Sequence, residues 1–198
     1  LEKFPFPWTS EQFFSVMPDC VLGRTVPLEA FSLKHSTYDL IVLGYQPWFL
    51  SPSLPVNSLL SHPGITSVLK NTPVITISGA RNMWINALEK IKQDLKTSGA
   101  NWVGSIALVD KHPNLISVIT ILYWMLGGKK DRYLGLFPKP GVSDEDIRSC
   151  KKLGDITENY LAKESFVGLQ EELLANKALI VNYNLLFTES KAGRIFRI

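Results

Sequence analysis

The chain has 198 residues and a mass of 22.2 kDa, enough for one domain or one domain with an extension. Apolar residues make up 45% and charged residues 20%, a balance that excludes a disordered chain, a collagen-like chain and a coiled-coil rod. The net charge is +3 and neither half is a basic arm, so composition gives no case for nucleic acid, and two cysteines fit a reducing, cytoplasmic compartment rather than a disulfide scaffold.

The opening stretch LEKFPFPW starts without Met and has neither a basic nor an apolar region of a signal peptide; the expectation is a fragment or a processed chain. Its prolines hold residues 4–8 extended. Thr9 or Ser10 can cap a short helix that ends at Pro18. Residues 21–31 show no steady period. Residues 39–44, DLIVLG, form a short apolar run of the kind buried on both faces in a parallel sheet. Residues 45–55 carry three prolines and read as loop. Residues 56–60 read as a helical turn stopped before His62 and Pro63. A second strand is expected at 73–78, ending at Gly79.

Asn82 is placed to cap the clearest helix, in which Trp84, Ala87, Leu88, Ile91 and Leu95 recur at helical spacing and Gly99 supplies the stop. A third strand follows at 102–109. Residues 115–126, LISVITILYWML, are too short to span a bilayer and read as a buried helix; the alternative is a membrane-surface helix ending in Lys129, Lys130 and Arg132. This order gives an α/β fold with a parallel sheet over residues 1–128. Residues 129–198 read as a largely helical extension packed on that domain or on a neighbouring subunit. It has a turn-rich linker at 137–141, a helix capped by Ser143, a further helix at 168–174, and a stretch at 178–188 that fits helix or strand.

No metal-ligand spacing, nucleophile elbow, dinucleotide fingerprint or phosphate-binding loop occurs. His35, His62 and His112 are scattered, Cys20 has no basic neighbour, and Cys150 lies on a helical stripe. What remains is a pair of loops at the carboxyl ends of the first two strands, the usual place for a ligand in an open α/β sheet. One loop holds Gln46, Pro47, Trp48, Phe49 and Leu50. The other holds Ser78, Gly79, Ala80, Arg81 and Asn82. Flat apolar groups, a close backbone approach at Gly79 and the Arg81 cation suit a planar heteroaromatic ring with polar edges. The competing reading has Trp48 and Phe49 plugging the end of the sheet and Arg81 in solvent.

Residues 38–110 resemble the flavodoxin-like superfamily, whose fold is a doubly wound parallel sheet in a three-layer sandwich. The Gln46-Pro47-Trp48-Phe49 stretch, with Pro52 and Pro55 after it, is similar to the loop that lies along the isoalloxazine ring in flavodoxin-like quinone reductases and FMN reductases. Three stretches, FPFPW at 4–8, GARNMW at 79–84 and RYLGLFPKPG at 132–141, resemble bacterial dialkylresorcinol condensing enzymes. The resemblance implies FMN as cofactor and a flavin-dependent oxidoreductase that aromatises a dialkyl cyclohexanedione made by a partner ketosynthase. The first strand and phosphate loop of that superfamily have no match here. The expectation is that they precede Leu1, or that the sheet is completed by another chain as in a homo-oligomer, or that the chain is a non-catalytic binding or assembly protein on the same scaffold.

Overall fold

The computed structural model describes residues 6–195, with side chains described through residue 192; Phe4 and Pro5 of the proline-rich opening lie outside the described residues. Helices α1 (Ser10–Ser15) and α2 (Met17–Val21) come first. Thr9 and Gln12 close a reciprocal capping box on α1, each side chain bonding the other's backbone N–H. Pro18 does not stop the helical run as expected. It sits in the first turn of α2, where a missing N–H costs nothing. Residues 24–40 form no regular element.

Then follow β1 (Ile41–Tyr45), β2 (Pro47–Trp48), β3 (Ser51–Pro52), α3 (Leu54–Leu60), α4 (Pro63–Leu69), β4 (Pro73–Ala80), α5 (Ile85–Thr97), β5 (Asn101–Val109) and α6 (Asn114–Gly127). The expected loop over 45–55 is therefore partly a two-strand hairpin. Pro63, expected as a breaker, instead opens α4, with the His62 Nδ1 accepting from the Gly64 N–H. After a 3-10 turn at Tyr133–Gly135 come α7 (Asp144–Ala162), α8 (Leu169–Ala175) and α9 (Tyr183–Ile195).

The chain is a small α/β protein built on a three-stranded parallel sheet in the order β1-β4-β5, flanked by helices, with a helical C-terminal region. Alternation along β4 sends side chains to two separate cores. Val74 and Ala80 join Leu43, Tyr45 and the α5 stripe of Ala87, Leu88, Ile91 and Leu95. Ile75 joins Ile106, Leu153 and Ile156 of α7 and Leu169 and Leu173 of α8. The C-terminal region thus supplies the second face of the sheet. Thr76, fully buried in β4, donates to Ser105 Oγ at 3.0 Å, so the polar pair between the strands is satisfied.

The two edges of the sheet differ. On β5, the Gln170 side chain accepts from the Ser105 N–H at 2.7 Å and the Ala178 carbonyl from the Ala107 N–H at 2.8 Å. This resolves the ambiguous 178–188 stretch: Ala178 runs along the strand edge and helix begins at Tyr183. On β1, no strand pairs with the outer edge among the described residues, and Val42 is 55% exposed.

Gly104 is required by the approach of α8, because a Cβ there would stand 2.9 Å from Leu173 Cδ1. Leu173→Ala should cost about 2–5 kcal/mol and Gly104→Ala about 1–3 kcal/mol. Urea titration of the double variant should give less than the sum, since the new methyl enters the space that Leu173 vacates; strict additivity would show that the two do not share a packed contact.

Candidate functional site

The parallel register brings the carboxyl ends of β1, β4 and β5 to one edge, with Tyr45 beside Ser78 and Ala80 beside Val109. After β1 the chain turns at once into the β2–β3 hairpin. Its two central residues, Phe49 and Leu50, have φ of 52° and 61°. Two positive φ values fit the twist of a two-residue hairpin but favour Gly and Asn, so Phe and Leu there carry strain of about 1–3 kcal/mol each. Strained bulky residues at a strand end, where ligands collect in such folds, single out this hairpin.

After β4 the expected loop is shorter than the sequence implies. Ser78, Gly79 and Ala80 remain in the strand because β5 pairs with them through Val109. Only residues 81–84 connect β4 to α5. Asn82 does not cap α5; its amide donates to Asn114 Oδ1 at 2.6 Å, and Arg81 donates to the same oxygen at 2.7 Å. These bonds tie the turn to the start of α6. Burial pulls the Arg81 pKa below its ordinary value, offset in part by the nearby Asp110 carboxylate.

A cavity of about 720 Å³ lies at this edge, within the range of about 300–1,000 Å³ common to small-molecule sites. Gln46, Pro47, Trp48 and Phe49 line it from the hairpin, and Gly79, Ala80 and Arg81 from the end of β4. Both sequence-picked loops therefore meet in one space. Leu50, Ser78 and Asn82 do not line it. Sequence reasoning missed the remaining walls. Phe6, Trp8 and Phe13 close one side, Ile121, Trp124 and Met125 of α6 another, and Gly141, Val142 and Ile147 a third. The Trp8 and Trp48 rings meet edge to face at 5.1 Å, Phe13 lies 5.0 Å from Phe49, and the Trp8 N–H donates to the Met125 carbonyl. The aromatic spacing of FPFPW was the available signal for the first wall.

Asp110, at the end of β5 and almost fully buried, was also missed. Its carboxylate accepts from the His112 N–H, the Ser117 hydroxyl and the Gly141 N–H, at 2.9, 3.1 and 3.2 Å. One carboxylate thus fixes the start of α6 and the turn before α7, two walls of the cavity. Among the described residues no group of His, Cys, Asp and Glu could hold a metal ion. Cys20 is buried and its thiol is pushed up to about 11 by that burial, and burial also raises Cys150, so neither is an activated nucleophile.

At the same strand ends, Tyr45 and Ser78 are register partners that leave one face of the sheet. Both hydroxyls are buried, and among the described residues neither has a hydrogen-bond partner. Burial pushes the Tyr45 phenol up to about 12, and Glu189 raises it further. Glu189, on α9, takes the capping role expected of Asn82: its carboxylate accepts from the Asn86 N–H at 2.7 Å at the start of α5. No family model, no curated protein and no solved structure matches the chain.

Burial raises the Glu189 pKa, and the bonds from the Asn86 and Ile85 N–H groups only partly offset it. The folded chain then keeps a proton that the unfolded chain has released. The stability tied to this group is full below its ordinary value of 4.5 and is lost as pH rises through its folded value. Wild type should gain stability relative to Glu189→Gln as pH falls through that window. Urea midpoints of both proteins across the window check this; a constant difference would mean that Glu189 titrates as in the unfolded chain.

Proposed function

We propose that the chain is a flavodoxin-like ring-binding domain of an oxidoreductase and that its cavity takes the isoalloxazine ring of a flavin. One observation carries this reading: the Trp48–Phe49 hairpin and the Gly79–Arg81 segment, from consecutive parallel strands, converge on a single aromatic cavity. Trp8, Trp48, Phe49 and Trp124 offer flat apolar surface. Gly79, whose side has open space, allows a ring edge to approach the backbone. Arg81 is the cation placed for the polar edge, where negative charge gathers in a reduced ring. A bound flavin supplies hydride and electron transfer; the protein's part is to hold the ring, orient it and exclude water.

The FMN phosphate fits less well than the ring. Pro55, at the start of α3 beside the cavity, has no N–H to donate. The first turn of α7 carries Asp144, Glu145 and Asp146, which repel an anion. The start of α5 already holds Glu189. None of these three helix starts offers the phosphate a seat.

The narrower activity, aromatisation of a dialkyl cyclohexanedione delivered by a ketosynthase, rests on the sequence resemblance alone. The aliphatic wall of Ile121, Met125, Val142 and Ile147 suits alkyl groups. A second reading, binding or assembly without catalysis, is favoured by the ionisable groups of the lining. Among the described residues these are Arg81 and Lys130, neither of them a carboxylate, imidazole or phenol suited to act as a base. Tyr45, in the right loop by sequence, is packed in the core on the α5 side instead.

Titration with riboflavin and with FMN, followed by quenching of the flavin emission, tests the proposal. Both should bind, with affinities agreeing to within about threefold, because an uncradled phosphate adds little. Trp48→Ala should weaken riboflavin binding by about 0.5–1.5 kcal/mol beyond the lost area while the fold persists. Absence of quenching by either flavin would refute the reading, and global unfolding of Trp48→Ala would favour the plug.

A further inference from the structure

Helix α6 is built inside out. Its fully buried side chains are Ser117 and Thr120, whereas Leu115, Ile119 and Leu126, spaced at helical intervals along one stripe, face solvent. Ser117 points inward because it donates to Asp110. The buried helix expected from the sequence is therefore corrected: its polar residues anchor it and its apolar stripe is left bare. Beyond its end, the 3-10 turn presents two more leucines, Leu134 at 70% and Leu136 at 86% exposure. Leu134 has φ of 52°, a conformation costly for a leucine and held here without burial as compensation. The Tyr133 ring packs at a tilt on Tyr123 of α6 with centroids 4.7 Å apart, and the Tyr123 hydroxyl donates to Asp131 at 2.9 Å, so the turn is fixed beside the helix.

The segment that carries these leucines, residues 129–139, is mostly basic, while the acids of the α7 first turn lie toward the start of α6, where Asp146 pairs with Lys111. Lys129, Lys130, Arg132 and Lys139 are exposed and form no ion pair among the described residues, and Asp131 is the one acid in residues 129–139. Lys130 Nζ stands 4.9 Å over the Trp124 ring, pairing a cation with an aromatic group suited to a bilayer interface.

We propose that the α6 stripe and the Leu134–Leu136 turn form a docking surface for an anionic lipid bilayer. The leucines enter the acyl boundary and the four cations meet lipid headgroups. Among the described residues no helix is long and apolar enough to cross a membrane; the attachment proposed is to the surface of one leaflet. A second copy of the chain is the poorer occupant, because an isologous contact sets these cations against their own images. The surface is separate from the ring-binding reading, except that Trp124 and Lys130 also line the cavity and place it next to the bilayer.

Co-sedimentation of the full chain with phosphatidylcholine vesicles, and with vesicles containing about one-third phosphatidylglycerol, tests this. Partitioning should be confined to the anionic vesicles and should fall on the order of 5-fold for each cation removed in Lys129→Gln and Arg132→Gln. It should drop about 10-fold or more in Leu134→Asn/Leu136→Asn, with the far-ultraviolet spectrum unchanged. If that double variant misfolds, the charge variants and the salt dependence carry the test alone. No binding, equal binding to neutral vesicles, or a concentration-dependent dimer abolished by the leucine changes would overturn the proposal.

Discussion

The parallel pairing of β4 with a neighbour on each side is the constraint on which the rest depends. It satisfies the backbone of the central strand, which lies between two helical layers and away from water. It also forces each adjoining strand to end at the same edge, so the chain must leave β1, β4 and β5 side by side. The cavity is a consequence of that geometry. The β2–β3 hairpin, the short 81–84 turn and the Asp110 corner are three exits from one sheet edge, and the space between them needs roofing.

The roof is α6 with the N-terminal strap. Its position follows from polar anchoring more than from burial of its apolar side chains. Asp110 gathers Ser117, His112 and Gly141, while Asn114 receives Arg81 and Asn82. Leaving the buried Ser117–Asp110 bond unmade costs about 1–3 kcal/mol, which helps orient a helix whose apolar stripe has no partner among the described residues. Gly128, left-handed at φ 71°, ends α6 where Pro7 packs beside it, and it is this positive φ that favours glycine there.

The three sheet strands and α5 were legible in the sequence because their signals are local: short, mostly apolar, β-branched runs, the first two closed by glycine, and a stripe at 3.6-residue spacing opposite a charged face. The hairpin was hidden because a Phe-Leu turn contradicts the Asn-Gly preference that normally reveals one. The starts of α2 and α4 were hidden because Pro18 and Pro63 read as breakers when they open helices. The cap of α5 was assigned to the nearest polar residue, Asn82. The structure supplies it from Glu189, a hundred residues away, a tertiary contact that no local pattern encodes. Of the site, seven of ten chosen residues line the cavity, Gln46, Pro47, Trp48, Phe49, Gly79, Ala80 and Arg81, since strand-end placement is a rule of topology. The walls from residues 6–13 and 121–147 arrive through packing, and the outward face of α6 was misread because Ser117 and Thr120, the polar residues of the run, face inward.

The central claim is that the two strand-end segments form one ring-binding cavity. Amide and indole resonances of the isotopically labelled chain, followed as riboflavin is added, test it most directly. The account predicts that the Trp48, Trp8 and Trp124 indole signals and the Gly79 and Ala80 amides shift together along one binding curve. Shifts confined to other surfaces, or none at saturating riboflavin, would contradict it.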